Sequence, residues 1–366
     1  MGDIGMERFR HGGDIYRESF SQGEWLDFSA NINPLGLSDK TRRCIMEHID
    51  DLAHYPDPEA RELKEAIAAH YGLPREEIVL GNGAAELFYL FFGMMRFSKV
   101  LLPQPAFSDY EKAALAAGSH VEYVFMNPED GFPFPQEKLC TLGDSVDCIV
   151  VGNPNNPTGT LTAAEALEKL LDRVPGNTWL LVDESFMEFR EDAEKYTLRH
   201  LVEKYPRLFV VQSLTKFYAL PGLRLGFGVA SPNLVKRMEQ GKDVWNVNLL
   251  AQKAGVAALS DTDYQRNTLR WLSEEQAYIV EALHCIPGLK IFPPSVNFVL
   301  ADVRGTGLEA AHILSEMKKR GILLRDCSNY PFLDGNYIRM AIRSHEENLR
   351  LMEAWREIMG NRGERA

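Results

Sequence analysis

Leu208-Phe-Val-Val211-Gln-Ser213-Leu-Thr-Lys216-Phe-Tyr-Ala-Leu-Pro-Gly-Leu-Arg224-Leu-Gly-Phe-Gly-Val229 joins two short apolar runs through a loop that carries hydroxyls, one amine and a guanidinium. Each run has the length of a buried strand. An amine set between hydroxyls, with Arg224 close behind it, suits condensation with the aldehyde of a phosphorylated cofactor. A lysine in a polar loop is by itself only a solvated charge, so the rest of the chain has to supply the other parts of such a site.

Similar apolar runs lie upstream at 98–102, 147–151 and 178–182, and residues 163–174 between two of them have helical character. This alternation predicts an α/β chain with a largely parallel sheet covered by helices on its faces. Ligands of such sheets gather beyond the carboxyl ends of the strands. The unusual residues fall there: Asn153 to Gly159 after one run, Asp183 after the next, Ser213 and Lys216 after a third. An earlier helix is predicted over 61–70, stopped by Gly72 and Pro74. Beyond Ala258 the pattern changes to a long charged helix over 263–283, an apolar stretch at 292–300, another helix and a run at 337–342, which reads as a smaller helix-and-sheet domain. The expected division is an arm over 1–36, a large domain over 37–258 and a small domain over 259–366.

The 366 residues exceed what one hydrophobic core usually holds, in keeping with two domains. A net charge of −12 argues against nucleic acid or anionic membrane as the main partner, while leaving room for local cationic pockets. No apolar run approaches a membrane span. The first eight residues show no apolar signal-peptide core, and the five cysteines are scattered without a C-x-x-C pair. We expect a cytoplasmic protein with no disulfide framework and no metal site.

Pyridoxal phosphate needs an amine, an acid for its ring nitrogen, a donor for its phenolic oxygen, a ring-stacking partner and a phosphate cup. Lys216 is the amine, and Asp183, ending the run Leu-Leu-Val-Asp, is the acid, although a lone Asp there could also cap a turn. Asn153-Pro-Asn-Asn156-Pro-Thr-Gly159 is stiffened by prolines and turned by glycine, which would aim the Asn156 amide at the phenolic oxygen. Gly81-Asn-Gly83-Ala84-Ala85-Glu86 opens a helical stretch whose free N–H groups suit a phosphate, with Ser213 and Arg224 adding a hydroxyl and a guanidinium. Phe107 either stacks on the cofactor ring or is a core aromatic.

The order Gly83-Ala84-Ala85, Asn156-Pro-Thr-Gly159, Asp183, Ser213-x-x-Lys216 and Arg224 resembles the fold-type I enzymes of the aspartate aminotransferase superfamily over nearly the whole chain. The resemblance implies a mostly parallel seven-stranded sheet in the large domain and a smaller α+β domain. It also implies a pyridoxal-phosphate-dependent homodimer with active sites at the subunit interface. Tyr55 of His54-Tyr-Pro-Asp-Pro58 would then reach the phosphate of the neighbouring subunit's cofactor, where otherwise it simply packs in a Pro-rich turn.

Within the superfamily the chain is similar to two related groups, the L-threonine-O-3-phosphate decarboxylases of cobalamin biosynthesis and the histidinol-phosphate aminotransferases. Three features favour the first. His11-Gly-Gly13 followed by Leu26-Asp-Phe-Ser-Ala-Asn-Ile-Asn33-Pro-Leu-Gly36 resembles the decarboxylases, where the aminotransferases usually carry Asn-Glu-Asn-Pro. Phe186 stands where many aminotransferases have a tyrosine, and Ile338-Arg339-Met-Ala-Ile-Arg343 places arginine where they tend to place glycine. The resemblance implies that Arg339 binds the substrate carboxylate and that His11 and Arg325 anchor its phosphate, with Asn156 and Asn33 also lining the substrate site. Asn33 could equally cap a turn, His11 lie free at the surface, and Arg325 and Arg343 form ordinary ion pairs. The alternatives are an aminotransferase acting on histidinol phosphate and, more remotely, a cofactor-binding module without turnover, against which the retention of Lys216 speaks.

Overall fold

The computed structural model describes residues 8–16, 20 and 23–360. Its first strand, β1 (Leu26–Asp27), belongs to the N-terminal arm. The large sheet contains β2 (Ile78–Gly81), β3 (Lys99–Gln104), β4 (His120–Phe125), β5 (Cys148–Gly152), β6 (Trp179–Asp183), β7 (Leu208–Ser213) and β8 (Gly226–Ala230). Their spatial order is β2-β8-β7-β6-β5-β3-β4, and neighbours are parallel except at β8, which runs antiparallel to both β2 and β7. This is the mostly parallel seven-stranded sheet that the family pattern implies.

The reason the apolar runs are nearly continuous is visible in the packing. Ile149, Val151, Leu180, Val182, Leu208 and Val210 join a core on one face, while Cys148, Val150, Leu181, Phe209 and Val211 join a second core on the other. Alternate side chains of a strand point to opposite faces, so a strand buried on both sides has no polar position to show. Two strands escape that reading. β4 is the outer strand of its edge and mixes His120 and Glu122 with its apolar residues, and β2 is short.

Helices predicted from periodicity form with small shifts at their ends: Arg61–Tyr71 closes on Gly72 in the left-handed conformation, and Ala164–Arg173 and Thr262–His284 match their expected positions. The C-terminal part contains β9 (Lys290–Ile291), β10 (Phe298–Asp302), β11 (Ile322–Leu323), β12 (Arg325–Asp326) and β13 (Tyr337–Ala341), with β12-β13-β10-β9 forming an antiparallel sheet. The arm is stitched to it: β1 pairs in parallel with β11, and the Ala341 N–H donates to the Phe28 carbonyl. The amino-terminal stretch inspected for a signal peptide lies, except for Arg8, outside the described residues. No helix among the described residues is long and apolar enough to cross a membrane.

Candidate active site

β7 and β8 are consecutive and antiparallel, with Ser213 paired opposite Gly226, so the excursion 214–225 leaves the sheet and returns beside its own start. Lys216 and Arg224 are therefore held next to Ser213 by topology alone. Gly226 also faces the start of the helix Ala84–Met95, where a Cβ added to the glycine would sit 2.5 Å from the Ala84 nitrogen. Gly83 precedes that helix with φ +81°, and a Cβ there would lie 2.5 Å from Arg224 Nη2. These close approaches leave the Ala84 and Ala85 end of the helix and the Arg224 guanidinium converging on one pocket, an arrangement that suits a phosphate.

The pocket is a cavity of about 600 Å³ bounded by the loops of the large sheet, the C-terminal part and the N-terminal stretch. It gathers Ala84, Ala85, Phe107, Asn156, Asp183, Ser213, Lys216 and Arg224 from around the seven-stranded sheet, His11 from the N-terminal stretch, and Arg325 and Arg339 from the sheet of the C-terminal part. Burial pulls the Lys216 ammonium down to about 8, with Arg224 pushing the same way and Asp183 opposing both. Its Nζ lies 5.6 Å from the centre of the Phe186 ring. Asp183 Oδ2 accepts from the Tyr110 hydroxyl at 2.6 Å and Oδ1 from the Ser185 N–H at 2.9 Å, which fixes the carboxylate at the strand end.

Asn153 and Asn155 staple the loop that presents Asn156, the first bonding Thr162 and Tyr196 and the second bonding the Pro105 carbonyl and Thr158. Asn156 Oδ1 accepts from Arg339 Nη1 and from the Tyr330 hydroxyl at 3.4 Å. With both donors on its oxygen, the amide N–H₂ is left to donate elsewhere. Arg339 also donates Nη2 to the Ser29 carbonyl at 2.7 Å, while its buried Nε has no partner. Arg325 donates to the Arg10 carbonyl and to Asn329, over the Tyr330 ring. Among the described residues none of Arg224, Arg325 and Arg339 pairs with a carboxylate. In a chain of net charge −12, three such guanidinium groups around one cavity amount to a standing demand for anions.

Other candidates sit differently. The Asn33 side chain does not reach the cavity: its amide donates to the Phe217 carbonyl and Thr268 Oγ1, both at 2.8 Å, and its oxygen accepts from the Leu35 N–H. Every polar atom of that side chain is engaged, so the expected substrate contact is replaced by a turn cap that ties the arm to the Lys216 loop. Arg343 takes its ordinary ion-pair role with Glu347 and also donates to the Asp27 carbonyl. His11 lines the cavity over Phe107, ring centres 5.2 Å apart, with Nε2 held by Asp109 at 2.9 Å. Tyr55 is outside this cavity, 76% exposed and stacked on the exposed Trp245. Asp109, Tyr110, Ser185 and Tyr330 have no counterpart in the sequence reading. The run Phe107-Ser-Asp109-Tyr110 does follow a strand end, and that position was the available signal.

A family model described as aminotransferase class I and II matches residues 23–354. The chain belongs to that family. It is 39% identical over 354 residues to a provisionally named threonine-phosphate decarboxylase of Caldanaerobacter subterraneus, covering 96% of this chain and 95% of the relative. It is also 34% identical to the threonine-phosphate decarboxylase of Salmonella typhimurium, covering 95% and 96%. Among solved structures, histidinol-phosphate aminotransferase from Clostridium acetobutylicum superposes with a TM-score of 0.86 at 30% identity, covering 91% of this chain and 99% of that one.

This class I and II family member is a pyridoxal-phosphate-dependent enzyme, and its donor set fits the cofactor. A helix N-terminus with a glycine-enclosed guanidinium, an amine held partly neutral, and a carboxylate at a strand end line a single cavity. Bound there, the cofactor supplies an electron sink for bonds broken at a substrate's Cα.

Proposed function

We propose that the enzyme decarboxylates L-threonine O-3-phosphate to (R)-1-amino-2-propanol O-2-phosphate and carbon dioxide, the step that serves the nucleotide loop of cobalamin. The observation that carries this reading is a second set of guanidinium groups lining the cavity, besides Arg224. There Arg339 and Arg325 lie without carboxylate partners, suited to a small substrate bearing both a carboxylate and a phosphate. The names of the decarboxylase relatives support the same reading.

In this reading Lys216 holds the cofactor between turnovers and moves a proton at Cα, while Asp183 keeps the ring nitrogen protonated. Asn156 donates to the phenolic oxygen, Phe107 flanks the ring, and Ser213, Arg224 and the Gly83-Ala84-Ala85 turn hold the cofactor phosphate. Arg339 takes the substrate carboxylate, and Arg325 with His11 takes its phosphate. Two anchors on a short molecule would fix how its Cα is presented to the electron sink that the cofactor would supply. That orientation selects the bond that breaks. The working unit is a homodimer in which Tyr55 completes the neighbour's phosphate cup, consistent with its exposure away from its own cavity.

A second reading, amino transfer from histidinol phosphate, is favoured by the structural likeness at a TM-score of 0.86. Supplying the purified holoenzyme with phosphothreonine and measuring carbon dioxide separates them. Release of one carbon dioxide per substrate consumed is the expected result. No release, alongside amino-group transfer from histidinol phosphate to 2-oxoglutarate, would reject the decarboxylase. Phosphoserine belongs in the same assay, because loss of one methyl contact changes binding by only about 1–3 kcal/mol.

A further inference from the structure

Tyr110 stands behind the cavity wall, 2% exposed, on the first turn of the helix Ser108–Ala116. Its hydroxyl donates to Asp183 Oδ2 at 2.6 Å, a short bond of the charge-assisted kind. Its ring meets Phe107 edge-on, with centres 5.5 Å apart and planes at 77°, and is held from behind by Phe88 at 5.2 Å and 90°. One side chain therefore touches both residues assigned to the two ends of the cofactor ring's environment: the carboxylate below its nitrogen and the aromatic that flanks its face. The cavity lining includes Asp183 and Phe107 but not Tyr110, so Tyr110 acts only through them. Its position is tight as well, since a Cβ added to Gly152 would come within 3.1 Å of the hydroxyl oxygen.

We propose that Tyr110 is the positioning residue that fixes the Asp183 carboxylate as an acceptor and so keeps the proton on the cofactor's ring nitrogen. Burial, reinforced by the carboxylate itself, pushes the phenol well above its ordinary value, so it stays a donor. A donor on Oδ2 stabilises the carboxylate as an anion and favours leaving the shared proton on the ring nitrogen. Without that donor the proton moves towards Asp183, and the ring loses part of its positive charge. The inference rests on the assignment of Asp183 to the ring nitrogen and on no choice of substrate, so it holds for decarboxylation and amino transfer alike.

The test titrates pyridoxal phosphate into apoenzyme of the wild type, Tyr110→Phe and Asp183→Asn, and follows the visible band of each holoenzyme against pH. Tyr110→Phe keeps the ring and removes only the hydroxyl. The expected results are roughly tenfold weaker cofactor affinity, as for loss of one hydrogen bond to a charged group, and a band midpoint moved to higher pH. Replacement of Tyr110 by 3-fluorotyrosine, a stronger donor of nearly the same shape, is expected to move the midpoint the other way. A purely structural tyrosine would not give that graded pair. Wild-type affinity and midpoint in Tyr110→Phe, beside a weakened Asp183→Asn, would overturn the role of Tyr110 alone. Wild-type behaviour in Asp183→Asn would overturn the assignment beneath it as well. Fluorotyrosine protein moving in the same direction as Tyr110→Phe would also reject the proposal.

Discussion

Lys216 shows how a single residue can work against the fold that holds it. Its amine is held down to about 8 from the ordinary 10.5, chiefly by burial. The folded apoprotein thus releases this proton near pH 8, while the unfolded chain holds it up to the ordinary value. Below about pH 8 folding carries the cost of that mismatch, and the cost fades as pH rises from about 8 to the unfolded lysine's range near 10.4. With water reaching the cavity, the cost at pH 7 is about 2 kcal/mol. Lys216→Met apoenzyme is expected to melt several degrees above wild-type apoenzyme at pH 7, and the gap should close towards pH 10. Equal melting temperatures at pH 7 would show that burying the charged amine carries no such cost. Legibility at this scale was uneven for a physical reason. Lys216, Asp183, Asn156 and Arg224 lie on strand ends and loops whose neighbours announce them. Asn33 reads the same in sequence whether its amide meets a ligand or caps a turn. Tyr110 and Tyr330 act across the fold through partners 73 and 174 residues away along the chain.

Among the elements, the proposed phosphate cup depends on how closely the helix Ala84–Met95 approaches β8. Gly83 carries φ +81° and ψ 160°, a region essentially restricted to glycine, and its missing side chain is replaced by Arg224. Gly83→Ala is expected to displace that guanidinium and weaken cofactor binding by at least about tenfold, given the value of a charge-assisted contact. Titration of the apoenzyme measures it, and an unchanged dissociation constant would remove Arg224 from the cup. The strands show the same division between what local pattern reveals and what it hides. β5, β6 and β7 were readable because both their faces are buried, whereas β4 carries polar residues at an edge and β2 is too brief to stand out. The reversed direction of β8 leaves no local mark, since an apolar run reads alike in a parallel or an antiparallel pair. Yet that reversal is what returns Arg224 to Lys216.

At the scale of the whole molecule, the proposed homodimer makes a quantitative claim. If Tyr55 serves the neighbouring subunit, Lys216→Ala and Tyr55→Ala are defects in different halves of one site. Mixing the two inactive or weakened variants and allowing subunits to exchange should restore about a quarter of wild-type activity, because half the dimers are hybrids and each hybrid holds one intact site. No recovery on mixing, with hybrids demonstrated by mass, would place Tyr55 in its own subunit's site or in none. The N-terminal arm reaches the arginines through its backbone. Its carbonyls at Arg10, Asp27 and Ser29 accept from Arg325, Arg343 and Arg339, so main chain shares the aim of these guanidinium groups with the side chains of Asn329, Glu347 and Asn156. Substitutions at Asp27 and Ser29 that keep the backbone path therefore leave these acceptors in place, whereas a side chain at Gly12, whose Cβ would lie 2.1 Å from the Ser29 carbonyl oxygen, or an insertion or deletion between residues 27 and 29 displaces them. The segment tolerates rewording and resists respacing.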